Sequence, residues 1–247
     1  MEEQLLAANQ ILAGLPGKER EVLLPALELC ELKLGEAIDE AGAPIKTLYF
    51  PIDAAISVVN QQEGANGKQI VEVTIIGKEG CSGSTVVQGI DSSPSMALVQ
   101  VKGRAIALPT AAVTGNPARL GYTWRALSLY SFLLYRHSVI SVGCSQFHSP
   151  SQRIARWLSA HRHRTGLKSY PFTTAFFAAQ VGLNEKIVSE VLDEFQAENL
   201  LELGFKNITI LNPEQLTEKS CPCFEKAKQA IDEYLVRLKG LIQTTNP

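Results

Sequence analysis

Gly182 follows Ala178 by four positions and precedes Val188 by six, a spacing that suits two helices packed across a tight turn. Thr173-Thr174 suits the cap of a short helix over Ala175–Val181. Two helices that cross closely need a small residue at the contact, which Ala178 or Ala179 supplies. The tight turn between them needs a residue that tolerates positive φ, which Gly182 supplies. Asn184 is a good N-cap for a second helix running to about Glu198. Ile187, Val188, Val191, Leu192 and Phe195 recur at helical spacing as its buried face. Asn199-Leu-Leu-Glu-Leu-Gly-Phe-Lys-Asn-Ile-Thr-Ile-Leu then reads as a β-hairpin, or wing. The spacing alone also fits an ordinary helical hairpin, so the flanking sequence has to decide.

The residues ahead of the motif favour a polyanion. No Asp or Glu occurs between Asp91 and Glu185, and ten Lys and Arg residues lie in that gap. Those from Lys102 to Arg136 are widely spaced and read as solvated charges. Arg153, Arg156, Arg162, Arg164 and Lys168 crowd together just before the motif, where a local positive field suits phosphate. The net charge of −2 conceals the asymmetry: residues 1–115 carry −6 and residues 116–247 carry +4.

The rest of the chain changes texture twice. Residues 5–30 predict one or two helices, broken at Leu15-Pro16-Gly17. From Glu31 to about Pro109, short apolar or alternating runs such as Leu48-Tyr-Phe-Pro, Ala55-Ile-Ser-Val-Val and Ile70-Val-Glu-Val-Thr-Ile-Ile follow one another. Turn signals at Ala41-Gly-Ala-Pro, Glu63-Gly-Ala-Asn-Gly, Ile76-Gly-Lys-Glu-Gly and Asp91-Ser-Ser-Pro separate them, which predicts an all-β barrel or sandwich. Asn116-Pro117 opens a long helix to about Phe147. Leu120, Trp124, Leu127 and Leu134 share one face of it, as core or as a seam with a second copy; Ser131, Ser138 and Ser141 dilute the pattern further along. Ser151 to about His163 and Pro213–Leu241 predict further helices. Three segments follow: 1–115, rich in β-structure; 116–147, a connecting helix that could also pair with a second copy; and 148–247, a winged helix-turn-helix with a C-terminal helix.

Composition excludes several classes. Hydrophobic residues at 45% and charged residues at 19% predict a packed globular chain. No apolar run approaches the roughly 20 residues that span a bilayer, and Met1-Glu-Glu-Gln is unlike a secretory start, so a soluble cytoplasmic protein without a membrane partner is expected. Cys30, Cys81, Cys144, Cys221 and Cys223 are odd in number and scattered, which argues against a disulfide framework. Only Cys221-Pro-Cys223 is a close pair, and a metal site would need Cys144 and His148 folded in from elsewhere. Reduced structural thiols are the simpler expectation, so no metal or cofactor is assigned. His137, His148, His161 and His163 have no carboxylate partner nearby in sequence, and Ser84 and Cys81 on Gly80-Cys-Ser-Gly-Ser have no evident base, so catalysis is not expected.

A β-barrel, a long helix and a winged helix-turn-helix, in that order, resemble the Crp/Fnr superfamily of bacterial transcription regulators. Local phrases across nearly the whole chain carry the likeness: Ile11-Leu-Ala-Gly-Leu-Pro, Leu48-Tyr-Phe-Pro, Ile76-Gly-Lys-Glu-Gly, Cys144-x3-His148, Arg153-Ile-Ala-Arg-Trp-Leu and Ser220-Cys-Pro-Cys-Phe. The resemblance implies an α+β chain with an N-terminal β-roll or jelly-roll sensor domain of cyclic-nucleotide-binding type. It also implies a homodimer whose second helices enter successive major grooves of a pseudo-palindromic site, with RNA polymerase as a further candidate partner. Phosphate contacts are expected from Arg153, Arg164, Lys168 and Thr173, and base contacts from Asn184, Lys186 and Ser189.

Two departures from the family pattern matter. Members that bind cyclic AMP carry Gly-Glu and then Pro-Arg-x-Ala, the Glu on the ribose and the Arg on the phosphate. Here the matching stretches are Gly83-Ser84 and Pro94-Ser95-Met96-Ala97. Without the Arg, a cyclic phosphate loses its strongest charge-assisted contact. Gly83, Ser84, Ser95 and Met96 therefore outline a site for a different effector, or for none. The family's iron–sulfur sensors need clustered N-terminal cysteines, which are lacking here. In the second helix, family members place Glu and Arg where this chain has Lys186 and Glu190, which implies a different operator. A member that has lost specific DNA binding and acts through protein partners is the alternative.

Overall fold

A computed structural model describes residues 3–64 and 67–245. The tip of the turn expected at Glu63–Gly67 and the first two residues of the acidic start lie outside the described residues. No helix among the described residues is long and apolar enough to cross a membrane.

The first compact unit comprises Met1–Val58, Ile75–Arg136 and Ala230–Pro247. It opens with α1 (Glu3–Ala7), α2 (Gln10–Ala13) and α3 (Gly17–Leu23). Asn9 is fully buried and fully used: its Oδ1 accepts from the Ile11 and Leu12 N–H groups at the head of α2, while its amide donates to the Pro51 and Gly80 carbonyls. Seven strands follow: β1 (Glu28–Leu32), β2 (Ala37–Asp39), β3 (Thr47–Pro51), β4 (Ala55–Gly64), β5 (Gly67–Ile76), β6 (Met96–Val101) and β7 (Gly103–Pro109). They form two sheets, β1-β7-β3 and β2-β6-β4-β5. Leu32, Leu48, Phe50, Ile56, Val99, Ile106 and Leu108 point into one core between the two layers, as alternation along half-buried strands requires. Strand structure begins at Glu28, three residues before the expected change of texture. Pairing of Leu29 with Ile106 on β7 outweighs the helical look of that segment.

α4 (Thr110–Thr114) leads to α5 (Gly121–Phe147). Pro117 opens a 3-10 turn rather than the long helix itself. The head of α5 is capped from afar by the buried Glu19 carboxylate, which accepts from the Tyr122 N–H at 2.6 Å and from the Thr123 N–H and hydroxyl at 2.9 and 2.6 Å. A negative charge on the positive end of a helix is favourable. Leu120 and Leu127 are fully buried, with Trp124 and Leu134 packed beside them, so this face is core of the single chain and not the seam with a second copy.

The second unit comprises Val59–Thr74 and His137–Gln229. It contains α6 (Pro150–Thr165), β8 (Ser169–Pro171), α7 (Thr174–Val181), α8 (Glu185–Ala197), β9 (Leu201–Gly204), β10 (Asn207–Ile210) and α9 (Pro213–Glu218), then the start of α10 (Cys223–Thr245). The wing is a three-stranded sheet in the order β8-β10-β9. Trp157 of α6 stacks on His161 at 3.5 Å and meets Phe177 edge-on at 4.8 Å. The compact units therefore cut the chain differently from the contiguous boundaries 1–115, 116–147 and 148–247. β4 and β5, at ten residues each, are about twice the usual strand length, and their outer parts belong to the second unit.

Candidate nucleic-acid interface

Gly182 closes α7 with φ +63°, in the left-handed region. Its N–H donates to the Ala179 carbonyl at 3.0 Å, and the Leu183 N–H donates to the Ala178 carbonyl at 2.9 Å, which satisfies the end of the helix. A Cβ at this position would lie 3.2 Å from Val71 Cγ2, so space as well as φ favours glycine. Thr173 caps α7 by accepting from the Phe176 N–H, and Asn184 caps α8 by accepting from the Lys186 N–H at 2.8 Å. Ala178 and Val188 are buried at the crossing. The expected turn is present with its expected residues.

The residues proposed from sequence as DNA contacts divide into two groups. Lys168, Thr173, Asn184 and Lys186 are exposed, and Ser189 is half-buried. Lys186 leaves 85% of its side chain open, and among the described residues a 4.0 Å pairing with Glu190, itself 62% open, engages it. An exposed i,i+4 pair is worth about 0.3–0.5 kcal/mol, against about 1–3 kcal/mol for a good bidentate base contact, so Glu190 would not hold Lys186 away from a guanine. Asn184 keeps its amide donors, since its side-chain oxygen serves the cap.

The arginines turn inward. Arg153 is half-buried, and its Nη2 donates to the Val181 carbonyl at 2.6 Å; burial holds its guanidinium below the ordinary arginine range. Arg164 is buried, and its Nη2 donates to His137 Nδ1 at 2.7 Å. Arginine can only donate, so Nδ1 accepts and the ring proton is on Nε2, which donates to the Ala227 carbonyl at 3.2 Å. Arg164 is thus buried and engaged with His137 rather than presented to solvent. Helical spacing could not show this, because the partner arrives from α5.

Sequence reasoning missed two features here. At the wing tip Phe205 is 91% exposed and Lys206 holds its ammonium 5.5 Å from that ring; the turn Gly204-Phe-Lys-Asn was the signal for it. In the core of the same unit, His161 Nε2 pairs with the buried Glu72 carboxylate at 3.1 Å, so the acid-free segment finds its acid on β5.

Residues 152–219 match the family model for a Crp-like helix-turn-helix domain. Over these residues the chain is similar to Crp-like helix-turn-helix domains. FixK2 from Bradyrhizobium japonicum has a similar structure, at 14% identity over 79% of this chain and 98% of its own, with a TM-score of 0.65. The c-di-GMP-responsive global regulator CLP from Xanthomonas campestris is similar at 14% identity over 79% and 99%, with a TM-score of 0.59. A CRP-family transcriptional regulator from Thermus thermophilus is similar at 16% identity over 77% and 96%, with a TM-score of 0.53. At such identities the likeness is one of fold, and the fold is that of Crp/Fnr-family regulators. No curated protein matches the chain in sequence.

A cluster of cysteines and a histidine brackets residues 152–219. Cys144, His148, Cys221 and Cys223 bring one donor atom each within 4.8 Å of one another. Cys144 Sγ lies 3.5 Å from Cys221 Sγ, and Cys223 Sγ lies 3.7 Å from His148 Nδ1. The Cys221 thiol is pushed below the ordinary cysteine range, chiefly by the hydrogen bond from Cys144, whose own thiol is raised by the same bond. The sequence named these four residues as the candidates for a metal site, with reduced structural thiols as the simpler expectation; the structure brings all four together.

In the β-roll, Gly83 has φ +68° and opens a 3-10 turn over Ser84–Gln88. The buried Ser84 hydroxyl accepts from the Ser131 hydroxyl at 2.8 Å. Ser95 is half-buried, with its carbonyl accepting from Ser93 Oγ at 2.6 Å, and Met96 begins β6.

Proposed function

We propose that this protein is a homodimeric, cytoplasmic transcription regulator that reads double-stranded DNA with α8. The observation that carries the reading is the open face of α8 on a Crp-like domain, with Lys186 presented to solvent beside Ser189. Lys186, Ser189 and the Asn184 amide would meet base edges in the major groove. Lys168, Thr173 at the head of α7, and Lys206 on the wing would meet phosphates. Arg153 and Arg164 act behind them as supports. RNA polymerase is a candidate partner on the same reading.

Dimerisation has its own support. Phe132, Tyr135, Val139 and Val142 are exposed along α5 at intervals of three, four and three residues, a seam suited to a second copy of the helix.

The effector is one other than ordinary cyclic AMP, or none. Ser84 stands where the family pattern has its ribose-binding Glu, and its hydroxyl is already bonded to Ser131. The Xanthomonas regulator is described as responsive to c-di-GMP, a phosphate-bearing ligand of another shape. Calorimetry with both nucleotides checks the point; micromolar binding of cyclic AMP would refute it.

Selection of duplexes from a random library tests DNA reading. Enrichment of a two-fold site with half-sites about one helical turn apart is expected. No enrichment, together with retention on DNA that ignores salt, would favour action through protein partners. The acidic balance of α8, with Glu185, Glu190, Asp193 and Glu194 against Lys186, is what supports that second reading.

A further inference from the structure

We infer that Cys144, His148, Cys221 and Cys223 form a Cys3His site for a single zinc ion that clasps the two ends of the Crp-like domain. A zinc ion with ligands at about 2.3 Å for sulfur and about 2.0–2.1 Å for nitrogen puts neighbouring donors roughly 3.5–3.8 Å apart in a tetrahedron. The observed edges are 3.5 Å for Cys144–Cys221 and 3.7 Å for Cys223–His148, and every donor lies within 4.8 Å of the others. Small side-chain rotations close the tetrahedron.

Each ligand sits on a defined piece of backbone. Cys144 is on the last turn of α5, and the His148 N–H donates to the Cys144 carbonyl at 3.3 Å, so the i,i+4 pair stays on one side of a continuing helical turn. Cys223 is the first residue of α10, and Pro222 fixes the chain between it and Cys221. The positive end of that helix favours thiolates. Cys144, Cys221 and Cys223 are buried, and His148 is half-buried. Three thiolates, a neutral imidazole and a divalent ion leave one net negative charge. Arg153 and Arg156 line the small cavity that Cys144 also lines, and supply the balance.

The donor set selects the ion. Thiolates and imidazole suit zinc and do not suit magnesium or calcium, which take oxygen ligands. A two-iron cluster spreads its ligand pairs across the width of the cluster, whereas donors this close together suit one ion. The placement also says what the ion does. Residues 152–219 lie wholly between the two ligand pairs, so the metal ties the entry of the domain to its exit and closes a long loop of chain. It is a structural clasp.

Metal analysis of the full chain purified under reducing conditions should find about one zinc per chain. After chelation, Co2+ should give the absorption of a tetrahedral thiolate site, saturating at one ion per chain and lost on adding zinc. Cys223→Ser and Cys221→Ser should remove the stoichiometric metal, while Cys30→Ser and Cys81→Ser retain it. His148→Cys should still bind, and His148→Ala should bind more weakly. Zinc should raise the melting temperature of the apo wild type by several degrees and leave Cys223→Ser unmoved. The inference is overturned if folded, reduced wild type gives no tetrahedral Co2+ spectrum, if it carries an iron chromophore instead, or if a Cys144–Cys221 disulfide is the form isolated.

Discussion

The Arg153 guanidinium donates a 2.6 Å hydrogen bond to the carbonyl of Val181, the last residue of α7, and so fastens α6 to the turn that aims α8. A charge that the sequence offered to phosphate is instead part of the frame that presents other charges. On the proposed reading, the contacts with DNA would fall to α8, the head of α7, Lys168 before β8 and the wing.

That division predicts different failures for different residues. Lys186→Ala should relax sequence preference by about 1–3 kcal/mol at one base pair. Lys168→Ala should weaken all duplexes alike and lower the salt slope by about one. Arg164→Ala should reduce stability through loss of the His137 contact, with the salt slope of the folded protein unchanged. Fluorescence anisotropy across a salt series, beside thermal melts, separates the three; a changed slope in Arg164→Ala would return that residue to the DNA surface.

Gly182→Ala should cost about 1–2 kcal/mol, because a side chain at φ +63° is strained and its Cβ meets Val71 Cγ2 at 3.2 Å. Chemical denaturation measures it. A variant as stable as wild type would mean that the turn relaxes freely.

Glu19→Gln should lose about 1–3 kcal/mol, since an amide donor would then face the Tyr122 and Thr123 N–H groups. Urea unfolding followed at α5 is the readout. Equal midpoints for the two proteins would remove Glu19 from its capping role.

Asp39 gives a pH signature. Burial pushes its carboxyl up to about 6, with the Ser82 hydrogen bond opposing. A folded-state value above the unfolded one means the native chain holds this proton more tightly. The stability it contributes is present below about 4 and is lost as pH rises towards 6. Asp39→Asn should therefore be more stable than wild type at pH 7, by on the order of 1–2 kcal/mol, with the gap closing near pH 4. A gap that stays constant between pH 4 and 7 would contradict this.

Phe132→Asp combined with Val139→Asp should convert a dimer to a monomer in sedimentation equilibrium. Affinity for a two-half-site duplex should fall at least about tenfold, while the fold is kept because both side chains are exposed. A dimer that survives both changes would place the seam elsewhere.

Local chemistry made much of this protein readable from its sequence. Ala178, Gly182, Asn184 and Val188 specify a turn through residue size, positive φ and capping, all of which act within a few positions. The β-roll was likewise legible, because alternation and turn residues are short-range signals. Partners distant in sequence were not. Arg164 found His137, His161 found Glu72, and Glu19 found the head of α5, each across a separation that no periodicity records. The same limit applied to Leu120, Trp124, Leu127 and Leu134: their spacing identified an apolar face, and only packing decided that it lies inside the chain. In the cysteine cluster, the sequence supplied four candidate ligands and their chemical softness. Their convergence within 4.8 Å is a property of the tertiary structure, because it requires the end of α5 and the start of α10 to meet.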